Sequence, residues 1–148
     1  PQIVFTASLL RDIGKIILGK IIAENPLKEQ ALMAVKDKSF DEAELVLFGT
    51  THSEVGAILL SRWKFPDEII DAIMYHHNPL KSNFKTTHIV ALSDLLAMLS
   101  GITTTLDGLN YRSGSLQNEF NFTTKDIDKI LAKFIKRYNL ITSEVGVS

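Results

Sequence analysis

The spacing of the apolar residues is the feature that most limits how this chain can fold. Residues 3–23, 55–63 and 127–138 repeat apolar side chains every three or four positions, and no segment alternates as a half-buried strand does. Because an α-helix has 3.6 residues per turn and a strand has a period of two, this pattern indicates helices. The sequence therefore predicts an all-α fold of about six or seven helices.

The residues at the segment ends support this prediction. Three segments begin with the order of a capping box, pairing Ser39 with Glu42, Thr51 with Glu54 and Thr123 with Asp126. We expect Thr87 to cap another helix, residues 103–122 to form a long connection and residues 123–140 to form the last helix. Residues 3–23 are apolar enough to suggest a buried helix. We expect one core that contains Ile58, Leu59, Trp63, Ile73 and Leu96.

Composition narrows the classes of function. The 148 residues suffice for one domain, and a formal net charge of −1 gives no general attraction to nucleic acid or anionic membranes. The absence of Cys excludes disulfides, zinc–thiolate sites and thiol nucleophiles, and it is compatible with a cytoplasmic protein. No apolar run reaches the roughly 20 residues of a membrane span. The sequence begins with Pro, within a helical pattern of apolar residues. We therefore expect a piece of a longer chain that lacks its N-terminal helices.

Five polar residues fall where the helical pattern predicts apolar or differently charged side chains. Asp12 lies one turn from apolar neighbours, Asp94 lies within an apolar helix, and His52 lies in a first helical turn, where backbone amides favour anions. His76 and His77 follow the apolar stripe of another helix. Two carboxylates and three imidazoles form a suitable ligand set for a divalent cation if the helices bring them together.

Each of these residues also has a simpler interpretation. Asp12 has Arg11 and Lys15 close by in sequence, so an ordinary ion pair would explain a carboxylate on an apolar helix. A His at a helix C-terminus, such as His76 or His77, often caps the helix and interacts with its dipole. Spacing alone does not decide between a metal site and these contacts.

The order of these segments resembles that of a known family. RDIGK at residues 11–15, THSEVGAILLSRWKFPDEIIDAIMYHHNP at residues 51–79 and ALSDLLA at residues 91–97 are similar to the HDOD branch, the HD-related output domains, of the HD-domain superfamily. The resemblance covers about residues 7–100. It implies an all-helical, HD-domain-like bundle with a single HDOD-like domain over residues 1–148.

The resemblance also bears on catalysis. Catalytic members of the superfamily hold one or two metals with an upstream His, a His–Asp doublet and a late Asp. Here Asp12 and Asp94 match the two Asp positions, but Arg11 stands where the doublet's His belongs, and a guanidinium cannot ligate a cation. His52, His76 and His77 match positions where the cyclic-dinucleotide phosphodiesterase branch places further ligands, but the Gly-Tyr-Pro signature of that branch is absent.

The resemblance therefore implies a non-catalytic, typically bacterial signal-transduction domain, which acts through protein contacts, other domains of a longer chain or a small ligand. With the absence of Cys, we expect a cytoplasmic location. Its degenerate metal site would comprise Arg11, Asp12, Lys15, His52, His76, His77 and Asp94. No cofactor is expected, although Asp12, His52, His76, His77 and Asp94 could hold a divalent metal. The alternatives are a metal-dependent phosphohydrolase acting on a nucleotide or cyclic dinucleotide, with Lys15 on the phosphate, and a purely structural dimerisation domain in a larger sensor, which would be a homo-oligomer.

Overall fold

A computed structural model describes residues 2–25, 39–100 and 121–145. These ranges contain seven α-helices and one short 3₁₀ helix, and they contain no strand, which confirms the predicted all-α class. None of the described helices is both long and apolar enough to cross a bilayer. The α-helices are α1 (Gln2–Leu10), α2 (Ile13–Ala23), α3 (Phe40–Phe48), α4 (His52–Arg62), α5 (Asp67–Tyr75), α6 (Lys85–Leu99) and α7 (Thr124–Val145), and the 3₁₀ helix is Pro79–Lys81.

Local hydrogen bonds set several of the helix starts. All three predicted capping boxes form, pairing Ser39 with Glu42, Thr51 with Glu54 and Thr123 with Asp126. The prediction that Thr87 is an N-cap is wrong, because α6 begins at Lys85 and Thr87 lies inside it. Its hydroxyl instead donates to Asp71 Oδ1 at 2.5 Å, which joins α6 to α5. The predicted connection at residues 103–122 lies almost wholly outside the described residues.

The apolar N-terminal segment differs from the single buried helix that its composition suggested. The chain turns at Arg11 and Asp12, which separates α1 from α2. Each helix buries only a narrow face, so Phe5, Leu9 and Ile16 remain 70%, 71% and 71% exposed. Arg11 and Asp12 lie in this turn, outside both helices. The side chain of Arg11 contacts Asp94 in α6, and that of Asp12 contacts His52 in α4.

The main core lies between α1, α4, α5 and α6. Its buried residues are Ala7, Ala57, Leu60, Ile69, Ala72, Ile73 and Val90. The expected single core is wrong: Leu96 packs instead in a second cluster with Ala91 and Leu92, while Ile58 and Trp63 are 56% and 57% exposed. The reason is that α4 turns its small-residue face inward, with Gly56, Ala57 and Leu60 buried, which lets α5 approach closely.

Helices α2 and α4 cross where two glycines meet. A Cβ atom added to Gly14 would lie 2.0 Å from the backbone oxygen of His52 and 2.9 Å from the nitrogen of Gly56. No L-side chain fits in that gap, so the backbones can approach this closely only because residue 14 is Gly. The crossing places the start of α2 against the start of α4, and therefore Asp12 beside His52.

Candidate functional site

The polar residues singled out in the sequence lie at or near the ends of packed helices. Asp12 precedes α2, His52 opens α4, and His76 and His77 directly follow α5. We call Asp12, His52, His76 and His77 the histidine cluster. Each of the four offers one ligand atom, and these atoms all lie within 4.8 Å of one another. Helix packing thus brings together four of the five residues that could hold a metal.

The contacts within the histidine cluster are short. His52 Nε2 lies 3.1 Å from His77 Nε2 and 3.4 Å from Asp12 Oδ1. His76 Nε2 lies 3.9 Å from the same Asp12 oxygen. His52 and His76 are buried, whereas the Asp12 side chain is 37% exposed. The cluster is therefore a mostly enclosed site, and the Asp12 oxygen that faces it is buried as well.

Hydrogen bonds at Nδ1 fix the orientation of two of the imidazoles. His76 Nδ1 lies 2.8 Å from the carbonyl oxygen of Ile73, and His52 Nδ1 lies 2.6 Å from Glu44 Oε2. Because a carbonyl oxygen and a carboxylate only accept, Nδ1 carries the proton in each neutral ring. In the neutral His76 ring, the Nε2 lone pair consequently faces Asp12, whose Oδ1 lies 3.9 Å away.

Arg11 forms a separate arrangement on the other side of Asp12, which we call the arginine bridge. Its Nε lies 3.1 Å from Asp12 Oδ2, and its Nη2 lies 2.5 Å from Asp94 Oδ1. Lys15 Nζ adds a contact of 3.0 Å to Asp12 Oδ1. The structure thus places Asp94 on the guanidinium of Arg11 and outside the histidine cluster. Asp94 is largely buried there, with its side chain 14% exposed.

These surroundings lower the pKa of Asp12, His76 and His77, which favours the charged form of the carboxyl group and the neutral form of the two imidazoles. Burial by itself raises the pKa of Asp12, but the charge and hydrogen bond of Lys15, with help from His76 and Arg11, outweigh it and hold that pKa far below its usual range. Burial lowers the pKa of His76, and the neighbouring His77 lowers it further. Burial also lowers the pKa of His77, against the opposing charge of Asp41. Asp12 is therefore anionic and both imidazoles are neutral near pH 7.

Helix α3 supplies two acidic residues that the sequence analysis did not include. Glu44 is 1% exposed and accepts hydrogen bonds from both the backbone nitrogen and Nδ1 of His52, at 2.7 and 2.6 Å. Asp41 Oδ1 lies 3.3 Å from His52 Nδ1 and 3.7 Å from His77 Nε2. The available signal was their spacing of three residues, which places both on one face of a helix with a strong capping box.

The family model and a solved structure point to the same family. The HDOD domain family matches residues 1–79, just over half of the chain. An uncharacterized protein of Treponema pallidum (strain Nichols) is 26% identical over 74 residues, which are 50% of this chain and 14% of that protein. The crystal structure at 1.90 Å resolution of an HDOD domain protein with unknown function from Geobacter sulfurreducens superimposes with a TM-score of 0.67 and 26% identity. That match covers 96% of this chain and 52% of the other.

Proposed function

Because this chain belongs to the HDOD domain family, we propose that it is a regulatory domain of a signalling protein that acts through contacts and does not hydrolyse phosphate esters. The short coverage of the relatives favours a function exerted within a larger protein, since the match spans 14% of the Treponema pallidum protein and 52% of the Geobacter sulfurreducens chain. The exposed apolar residues Phe5, Leu9 and Ile16 of α1 and α2 offer a surface for such contacts.

The arginine bridge is the observation that carries this proposal. A hydrolytic two-metal centre uses carboxylates that bridge or flank cations a few ångströms apart. Here the guanidinium of Arg11 contacts Asp12 and Asp94 together, at 3.1 and 2.5 Å. A guanidinium stays protonated at every physiological pH, so it fills the position between the two carboxylates with a permanent positive charge. A metal at that position would meet repulsion in place of ligands.

The competing function is a metal-dependent phosphohydrolase, and one observation favours it. The histidine cluster retains three imidazoles beside Asp12, and Lys15 lies next to that carboxylate, where an ammonium could bind a phosphate. A single ion in the cluster could then activate water. This candidate requires an open coordination position that a substrate can reach, whereas His52 and His76 are buried.

The decisive experiment is a hydrolysis assay of the full-length protein against cyclic dinucleotides and nucleoside phosphates with added Mn²⁺ or Fe²⁺. We expect no turnover by the native protein. The informative variant is Arg11→His, which replaces the guanidinium by a potential ligand, and Arg11→Lys is its matched control because it retains a positive charge. Turnover by the native protein that is lost in both Asp12→Ala and Asp94→Ala would overturn the proposal.

A further inference from the structure

We propose that α7 is a dimerisation helix, which pairs in parallel with α7 of a second copy of this chain. The two helices would form a short coiled coil. This inference uses none of the residues of the histidine cluster or the arginine bridge. It does not depend on the regulatory function proposed above, since a regulatory domain and a hydrolase can both form dimers.

The C-terminal part of α7 exposes a row of large apolar side chains. Its first turns lie against the rest of the domain, since Ile127 is 6% exposed and Phe122, just before the helix, packs against Ala91 and Leu92. Every residue from 132 to 141 is exposed. The large apolar residues among them are Phe134, Ile135, Tyr138, Leu140 and Ile141, which are 38%, 39%, 40%, 58% and 52% exposed. Because helices in proteins gain most of their stability from packing of an apolar face, this face calls for a partner.

The spacing of the apolar residues in α7 is that of a coiled coil. Their positions alternate by four and three residues, as positions a and d do in a heptad repeat. The a positions would be Leu131 and Tyr138, and the d positions Ile127, Phe134 and Ile141. This repeat favours a second α-helix as the partner, because two helices that coil around each other keep such a stripe buried along its whole length.

The residues beside this stripe indicate that the partner is a second copy of the same helix. In a parallel pair, each residue at position g faces the residue at position e five places later in the other helix. Ile130 would therefore face Ile135 of the second copy, and Arg137 would face Thr142. Neither contact places like charges together, and each occurs twice in a symmetric dimer. The face of α7 is thus complementary to itself, as a two-fold interface requires.

An antiparallel pair fits the same residues less well. In that orientation g residues face g residues, and in the two registers with the longest overlap Arg137 would lie against Arg137 or Ile130 of the second copy. The first contact brings like charges together, and the second places a charge against an apolar side chain, so both cost free energy. In the parallel pair the lysines of the opposite face remain in solvent; they are Lys125, Lys129, Lys133 and Lys136.

The first test is sedimentation equilibrium of the 148-residue chain at about 100 µM, where a short coiled coil should be dimeric. Tyr138→Glu places a charge in the middle of the stripe and should weaken the dimer by at least about 30-fold, the effect of losing a central interface residue. Lys136→Glu is the matched control, because it introduces the same residue on the opposite face of the same helix, and it should leave the dimer intact. Both positions are exposed, so neither variant should change the circular dichroism of the domain.

The second test determines the orientation of the two helices. The chain has no Cys, so one introduced thiol reports on one position. In the parallel dimer the two Ile141 residues face each other, and Ile141→Cys should form an intermolecular disulfide with oxidised glutathione. In the antiparallel registers above they would lie at least about 15 Å apart, given the rise of 1.5 Å per residue. Lys136→Cys, on the outer face, should form no disulfide and is the matched control.

Three results would overturn the proposal. They are a native chain that remains monomeric at about 100 µM, equal association of the native chain and Tyr138→Glu, and equal disulfide formation by Ile141→Cys and Lys136→Cys. A monomeric chain that sediments with vesicles of an anionic phospholipid would assign the apolar face of α7 to a membrane surface instead. None of these measurements involves hydrolysis, so the dimer can fail while the regulatory proposal stands, and turnover can refute that proposal while the dimer remains.

Discussion

The two sides of Asp12 show how differently one carboxylate can be used. Its Oδ1 atom faces the histidine cluster, with His52 Nε2 at 3.4 Å, whereas its Oδ2 atom lies 3.1 Å from Arg11 Nε in the arginine bridge. The histidine cluster presents lone pairs that a cation could satisfy, and the arginine bridge already contains a cation that belongs to the chain. One carboxylate can thus face imidazoles on one side and a permanent cation of the chain on the other.

The largest effect should come from a change that separates the two helices on which both sides depend. In Gly14→Ala the new methyl group would meet the His52 backbone, so α2 and α4 must move apart. We expect a loss of about 3 kcal/mol in the free energy of unfolding, at the upper end for overpacking. Chemical denaturation followed by circular dichroism measures it.

Gly19 offers a matched control for that experiment. It lies in the same helix α2, and a Cβ added there meets nothing within 4 Å. Gly19→Ala should therefore stabilise the domain by about 0.5–1 kcal/mol through helix propensity. If Gly14→Ala proved as harmless as Gly19→Ala, the close crossing of α2 and α4 would be wrong.

The next largest effect is the pH dependence of the folding stability, which should differ between the histidine cluster and the arginine bridge. Because the pKa of His76 is lowered by burial, the unfolded chain, whose imidazoles titrate near about 6.5, binds more protons than the folded chain just below that pH. Stability therefore falls as the pH decreases from about 7 to about 5, because the unfolded chain gains a proton at this position that the folded chain does not. His77 adds a loss in the same direction. Denaturation of metal-free protein across this range measures the change.

The arginine bridge should respond in a different pH window. The pKa of Asp12 is held low, so the unfolded chain takes up this proton first, and the associated stability is lost only as the pH falls below about 3.9. His77→Asn should reduce the slope between pH 5 and 7, whereas Arg11→Lys should leave that slope intact. If the free energy of unfolding changed equally with pH between pH 5 and 7 in His77→Asn and in the native protein, the assignment of this pH range to the histidines would be contradicted.

A smaller effect should follow from cutting the arginine bridge alone. Asp94→Ala leaves Arg11, whose side chain is 22% exposed, with Asp12 as its remaining carboxylate in the bridge. We expect a loss of about 1–2 kcal/mol in the free energy of unfolding, since the largely buried guanidinium keeps only one of its two carboxylate partners. Chemical denaturation of this variant and of the native protein at pH 7 measures the difference. An unchanged free energy of unfolding would show that the ion pair between Arg11 and Asp94 contributes nothing to stability.

The smallest expected effect concerns the exposed face of α1 and α2. Leu9 is 71% exposed, so Leu9→Ser should change the stability of the domain by no more than about 0.5 kcal/mol. If this face contacts another part of the larger protein, amide hydrogen exchange in α1 should be slower in the full-length protein than in the domain, and Leu9→Ser should reverse the difference. Equal exchange in both proteins would remove this face from the regulatory proposal.

The sequence predicted the features that depend on residues close together along the chain. Capping boxes gave the starts of α3 and α4, and the apolar period gave the helical class. The sequence also identified Asp12 and the three histidines as residues out of place, although only the structure shows that their ligand atoms converge. Which helix faces are buried, and which side chains meet, depends on packing between residues far apart in the sequence.

The errors have a common physical cause. Trp63 was expected in the core because it continues an apolar stripe, but the small residues Gly56 and Ala57 determine which face of α4 turns inward. Glu44 gave no sign of burial in the sequence, because its burial depends on hydrogen bonds from His52 across a separate helix. A residue's periodicity describes its own helix, whereas burial of a charge depends on its partner.

The order of the site residues along the chain has a consequence for assembly during synthesis. All four members of the histidine cluster, and also Glu44, lie within the first 77 residues, whereas the Asp94 partner of Arg11 comes later, in α6. A ribosome releases the N-terminal part of a chain first. A contact between two distant residues can form only after the second of them has been synthesised. The imidazoles can therefore meet Asp12 before the guanidinium beside it has gained its second carboxylate.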